Sequence, residues 1–451
     1  MPVTSPEYKP QPAIFELGNE FYDVVEAAKF PQCKERFFNE TWAKRVGLGE
    51  LSKEERANHF WKFEPLPQNL TNPLALRYHG HQFRHYNPDL GDGRGFLFAQ
   101  LRDERDRLLD FGTKGSGQTP WSRRGDGRLT LKGAIREILA TEMLEALGVN
   151  TSKTFAVFET GDALERNDEP SPTRAAVLTR LGHSHIRFGT FQRLLAEKKN
   201  DEIAKLISYC VKLYLPEAAP DSALNSGAEK SEAVRFLRAV VTRSARLCAC
   251  WMIAGFVHGV LNTDNMNVTG ESFDYGPYRF LPQYDPAFTA AYFDQSGLYA
   301  YGRQPETVLW NLERLADTLL PFADREQLIE ALELFSLAFN DAASKHMTEQ
   351  LGLEFRASDE SLVIAVFTFL ASSQITYPQF YFDWYGGELS TARAMRSPEA
   401  AKYQGPDFEA FKEVIKDWTP NENAKRTFTA DSVRQNERAS SNYFSQSRPC
   451  S

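Results

Sequence analysis

Two short apolar runs, residues 96–101 and 108–114, flank a charged turn at 102–107, a pattern that predicts paired strands. Residues 131–147 follow with Ile135, Ile138, Leu139, Leu144 and Leu147 mostly at helical spacing and Gly148 as a stop, so a helix is expected there. Two more strand-like runs, 154–159 and 175–181, are separated by a Pro/Asp/Glu loop at 162–172. Strands around a single early helix predict a small mixed lobe. Beyond Phe188 the period changes: 203–215, 232–254, 305–320, 325–350 and 358–373 carry helical apolar spacing. Upstream, residues 15–68 are polar and aromatic-rich, with a short helix expected at 20–29. A surface loop is expected at 219–230. Past Pro420 large apolar residues become scarce, which predicts a poorly ordered tail at 420–451. No internal repeat is visible. The fold class expected is α+β.

Composition narrows the function. The 451 residues are 42% hydrophobic and 25% charged, enough for two or three sizeable cores. The net charge of −8 argues against a nucleic-acid-binding surface, which needs a basic face, though not against a local basic pocket. The longest apolar run, 247–257, is too short to span a bilayer. The first residues, MPVTSPEYKPQP, lack the apolar stretch of a secretory signal. The cytoplasm is therefore the expected compartment, or the mitochondrion for a eukaryotic source. Five scattered cysteines, Cys33, Cys210, Cys248, Cys250 and Cys450, suggest no disulfide framework. Cys450, in the polar tail, is expected to be exposed.

The chemistry concentrates in 255–276, GFVHGVLNTDNMNVTGESFDYG, where Asp264 adjoins Asn265 and Asp274 opens a D-Y-G triplet. Protein kinases hold magnesium with an Asn and an Asp in this arrangement. Their catalytic Asp sits five residues before the Asn, and here that position is Val260. The fold is thus either catalytically silent or suited to a different reaction on ATP. Upstream, LGDGRG (90–95) places Gly91, Gly93 and Gly95 around Arg94, letting backbone N–H groups and a guanidinium approach a phosphate. Lys114 ends a strand and Glu137 lies on the next helix, the order in which kinases pair a lysine with a glutamate. RRGDGR (123–128), Arg180 and Arg187 add planar forks suited to a polyphosphate. His79, His81 and His85, with His183 and His185, have spacings compatible with zinc. They lack acidic or cysteine partners at familiar intervals, so packed or surface histidines are expected and a metallohydrolase is the lesser alternative.

Together these segments resemble the selenoprotein O family. The matching pieces are LALRYHGHQF (74–83), NPDLGDGRG (87–95), TKGSGQTPWSRRGDGR (113–128), IRE (135–137), LTRLGHSHIRFGTF (178–191), HGVLNTDNMNV (258–268) and DYGPYRFL (274–281). The resemblance implies a protein-kinase-like two-lobed fold: an extension at 1–73, an N-lobe at 74–188, a helical C-lobe at 189–419 and a tail at 420–451. It implies transfer of AMP from ATP, bound in an inverted pose, to Ser, Thr or Tyr hydroxyls of proteins, with Mg²⁺ or Mn²⁺ as cofactor. It implies nucleotide contacts from Gly91, Gly93, Arg94, Lys114, Asp126, Gly127, Arg180, Arg187 and Asp274. Metal ligation falls to Asn265 and Asp274, the base to Asp264, and Glu137 supports Lys114. Neither nucleic acid nor membrane is an expected partner. A kinase transferring the γ-phosphate and a silent nucleotide-binding scaffold are the alternatives.

Overall fold

The structure is a computed structural model that describes residues 5–167, 169–220, 231–356 and 359–428. Cys450 and most of the expected loop at 219–230 lie outside the described residues, as does the tail from 429 onward. Residues 422–428 are helical, and Ala424 is buried.

In chain order the strands are β1 (Lys9–Pro10), β2 (Tyr22–Val24), β3 (Lys34–Phe38), β4 (Leu74–Leu76), β5 (Gly80–Gln82), β6 (His85–Asn87), β7 (Leu97–Arg102), β8 (Leu108–Lys114), β9 (Leu129–Thr130), β10 (Lys153–Leu164), β11 (Thr173–Gly182), β12 (Phe256–Val257) and β13 (Arg279–Phe280). The helices are α1 (Glu40–Arg45), α2 (Lys53–Phe60), α3 (Leu131–Ala146), α4 (Phe188–Ala196), α5 (Asn200–Tyr214), α6 (Glu232–Ile253), α7 (Gln304–Asp317), α8 (Arg325–Gln350), α9 (Glu360–Ser373), α10 (Tyr377–Trp384), α11 (Thr391–Ala394) and α12 (Pro406–Ile415). The protein is α+β. Its chain divides into two compact units: 1–248 with 257–279 and 288–338, and 249–256 with 280–287 and 339–451.

The first unit is built on a nine-stranded sheet with the order β2-β4-β7-β8-β11-β10-β3, to which β1 and β9 add short pairings. Every pairing in it is antiparallel. The expected 96–101 and 108–114 pair is β7 and β8, joined through Asp103, whose carboxylate accepts from the Arg105 and Arg107 N–H groups. Alternation along β11 sends Val177 to one face, and Ala176 and Leu178 to the other. On the first face α2 inserts Phe60 among Phe98, Phe111 and Phe155, with ring centroids 5.0–6.2 Å away. Burying one such ring contributes about 2–3 kcal/mol.

The second face carries α3, capped by Thr130 through the Gly133 N–H. Its buried side is small and partly polar: Ala134, Glu137, Ala140, Thr141 and Leu144. Ile135 and Leu139, which helped to predict the helix, are exposed, as is Met143. The period located the helix, but the buried face is one that lets Glu137 approach the sheet.

The helix expected at 20–29 is not formed. Tyr22–Val24 is β2, paired with β4 from Tyr22↔Leu76 to Val24↔Leu74, and the chain stays extended beyond it. Val25 donates to the Pro73 carbonyl and Ala28 to that of Ser116, so the backbone bonds go to the sheet and its neighbouring loop. Two adjacent β-branched residues, Val24 and Val25, favour this outcome.

In the second unit, α9, α10 and α12 enclose an aromatic cluster of Phe369, Phe380, Trp384, Tyr403, Phe408 and Phe411. The Tyr403 hydroxyl donates to buried Asp383 at 2.7 Å, satisfying the carboxylate inside that core.

Candidate active site

A cavity of about 760 Å³ in the first unit is lined by the glycine turn 91–95, Lys114, residues 121–128, Arg180, Arg187, Asp264, Asn265 and Asp274. Apart from Glu137, which reaches it through Lys114, every residue singled out above for nucleotide, metal or base therefore lines one space.

The glycine turn is fixed by tight packing. Asp92 accepts from the Leu76 N–H at 3.1 Å and donates its own N–H to the Leu76 carbonyl at 3.0 Å. A Cβ at Gly91 would lie 2.4 Å from Trp121 Cγ, and one at Gly95 would lie 2.0 Å from the Thr113 oxygen. These glycines are thus required by the indole and the strand behind them, whatever the turn binds. Trp121 Nε1 donates to Asp23 at 2.9 Å, which holds the indole in place. The second turn has a different lock. Asp126 accepts from the Arg128 N–H and pairs with Arg166 at 2.8 Å, and Gly127, with φ +69°, bonds back to Gly117.

The charged centre is Lys114. Its ammonium, at the end of β8, contacts both Glu137 and Asp274. Arg180 stands 3.7 Å from Asp274. Burial pulls the Asp274 carboxyl upward, but Lys114, Arg180 and Arg187 together hold it well below the usual carboxylate range. Asp274 occupies the left-handed region at φ +64°, uncommon for a residue with a side chain. Such outliers gather at functional sites.

Asp264 lies in the single 3₁₀ turn Thr263–Asn265. Thr263 Oγ1 accepts from the His81 N–H and donates to Gln192, both at 2.7 Å. Asn262 Oδ1 accepts from the Tyr299 hydroxyl at 2.6 Å, and Asn311 donates to the Leu261 carbonyl. Arg187 Nη1 donates to the Asp264 carbonyl at 2.8 Å while its guanidinium lies over Tyr78 and Phe273. The carbonyl of Val260, five residues before Asn265, accepts from Asn265 Nδ2 at 2.9 Å and so aims Asn265 Oδ1. Burial pushes the Asp264 carboxyl up to about 6, with Arg187 opposing.

Two oxygen atoms in this turn, Asp264 Oδ1 and Asn265 Oδ1, are buried without a hydrogen-bond partner. Buried orphan acceptors are costly unless a ligand satisfies them. The amide oxygen of Asn265 and the carboxylate of Asp274 are oxygen donors of the kind a hard divalent cation such as Mg²⁺ prefers.

The histidines go elsewhere. His79 Nδ1 meets the Tyr86 hydroxyl at 2.6 Å, His81 meets Gln192 at 3.1 Å, and His183 packs edge-on to Tyr214. His185 is buried between Asp110 and Arg180. Among the described residues no three His, Cys, Asp or Glu side chains converge as a metal site. Sequence reasoning passed over Asp92, Trp121 and Gln192. Asp92 sat inside the glycine motif and was open to notice; the roles of Trp121 and Gln192 exist only through tertiary contact.

Fold and cavity together define an α+β protein with one arginine-rich cavity that gathers a glycine turn, a lysine and the polar side chains of Asp264, Asn265 and Asp274. The family model described as "Protein adenylyltransferase SelO" matches residues 4–442. The chain belongs to that SelO family, and the match extends well beyond the 74–281 stretch that carries the motif resemblance. Among its relatives, the protein nucleotidyltransferase YdiU of Synechocystis sp. is 49% identical over 378 residues, 82% of this chain and 78% of the relative. The YdiU protein of Trichodesmium erythraeum is 46% identical, covering 85% and 80% of the two chains. That of Vibrio cholerae is 36% identical, covering 81% and 72%.

Proposed function

We propose that this chain is a protein adenylyltransferase, transferring AMP from ATP to Ser, Thr or Tyr hydroxyls of proteins on a protein-kinase-like, two-lobed fold with lobes at 74–188 and 189–419. Family membership supports the reaction class. The observation that carries the assignment of parts is the pairing of a buried carboxylate, Asp264, with the donors of Asn265 and Asp274 in a cavity rich in arginine.

In this reading the acceptor oxygen attacks the α-phosphorus, its proton passes to Asp264, and the bond from the α-phosphorus to the β-bridging oxygen breaks to release pyrophosphate. Arg180, Arg187, Arg94 and Lys114 bind the β- and γ-phosphates and stabilise the charge that develops on leaving. Glu137 positions Lys114. Gly91, Gly93, Asp126 and Gly127 shape the two turns against the nucleotide. Asn265 and Asp274 would hold Mg²⁺ or Mn²⁺, which neutralises phosphate oxygens when bound. Val260 then marks a base moved next to the metal ligand rather than one lost. Quantifying the co-product tests this: pyrophosphate formed mole for mole with modified protein is expected, and ADP in its place would establish the γ-phosphate kinase instead.

A further inference from the structure

A second cavity of about 660 Å³ adjoins the first, sharing Arg94, Lys114, Arg128 and Arg166 with it. Its own walls are the start of α3 and the segments 275–279 and 288–293. Seven lysines and arginines line it against two carboxylates, Glu137 and Glu169. Both carboxylates are engaged, Glu137 by Lys114 and Glu169 by Lys132. Arg136 and Arg279 have no carboxylate within ion-pair distance among the described residues. Arg136 is held in place: it donates to the Gly276 carbonyl at 2.9 Å, and its guanidinium lies over Tyr278, whose hydroxyl donates back to the Arg136 carbonyl. At the mouth stand Tyr292, 82% exposed, and Phe293, 47% exposed, packed edge to face at 5.1 Å.

Arg128 and Arg166 are paired with Asp162 and Asp126, so the excess of positive charge rests on Arg136 and Arg279, a local feature set against the net charge of −8. Exposed aromatics beside arginines are the side chains that anchor protein interfaces. Resting on the reading above, we propose that this cleft binds the acceptor protein, and that its occupant is an acidic segment flanking the hydroxyl to be modified. The shared wall of Lys114 and Arg94 places that segment next to the phosphate cavity. A long polyanion such as a nucleic acid fits less well, because it would also cross the acidic remainder of the surface.

The test uses the full chain and two fluorescent synthetic peptides, each with one Ser and one Tyr, flanked by glutamates in one and by lysines in the other. Anisotropy is expected to show the glutamate peptide binding at least about tenfold more tightly. The double variant Lys132→Glu/Arg279→Glu changes residues outside the phosphate cavity. It is expected to abolish that preference while its thermal stabilisation by a non-hydrolysable ATP analogue stays at the wild-type level. Equal affinities for the two peptides, an unaltered preference in the double variant, or displacement by a single-stranded oligonucleotide at lower concentration than by the glutamate peptide would each overturn the proposal. Tight, charge-dependent peptide binding without AMP transfer would keep the cleft and sink the adenylyltransferase reading.

Discussion

At the scale of single residues, the site is a balance of buried charge. Asp274 stays ionised because three cations face it, and Lys114 serves both Asp274 and Glu137. Lys114→Met is expected to lower AMP transfer by about 10²-fold or more, through lost electrostatic stabilisation; steady-state kinetics would check it. Asp274→Ala should abolish metal-dependent transfer, whereas Asp264→Asn should slow it with ATP-analogue binding retained; wild-type rates in both would refute the assignment of roles. Away from the cavity, buried Glu271 is raised to about 7, chiefly by burial, with Lys153 opposing. Its carboxyl therefore binds a proton more tightly folded than unfolded. Stability from this group is complete below the ordinary carboxylate range and is lost as pH rises through about 7, at a cost of about 3 kcal/mol. Glu271→Gln can still accept from the His183 N–H, so its melting temperature should exceed wild type at pH 8 and not at pH 5. A pH-independent difference would contradict this. That Asp264, Asn265, Asp274 and the arginines would share one cavity was legible, because few residue types can bind a phosphate or a metal and these fall in polar, glycine-flanked turns. Trp121 behind Gly91 was not, since nothing local in the chain announces a contact across thirty positions.

At the scale of elements, legibility followed length and locality. The helix at Leu131–Ala146 and the β7–β8 hairpin were readable because their bonds close within the segment or across one short turn. β2 and β3 were not, because their partners lie about fifty and more than a hundred residues away, at Leu74–Leu76 and in β10. The same non-local pairing turned the expected helix at 20–29 into an extended edge. The glycine turn depends on close packing, so Gly95→Ala must displace the Thr113 backbone. A loss of about 1–3 kcal/mol is expected in denaturant unfolding. An unchanged midpoint would show that the turn is more adaptable than its packing implies. Phe60→Ala, at the centre of the first sheet face, should cost about 3–5 kcal/mol, measured in the same way.

At the scale of the whole molecule, two adjoining cavities of an acidic chain are lined by more cationic than anionic side chains, and the proposals above give one to the nucleotide phosphates and the other to the acceptor. Among the described residues no helix is long and apolar enough to cross a membrane. The central claim is that the kinase-type metal site at 255–276 has been turned to act on the α-phosphate, with Asp264 in place of the base missing at Val260. Parallel reactions with α-labelled and γ-labelled ATP test it most directly. The account predicts protein-bound label from the α position and none from the γ position; label from the γ position alone would contradict it.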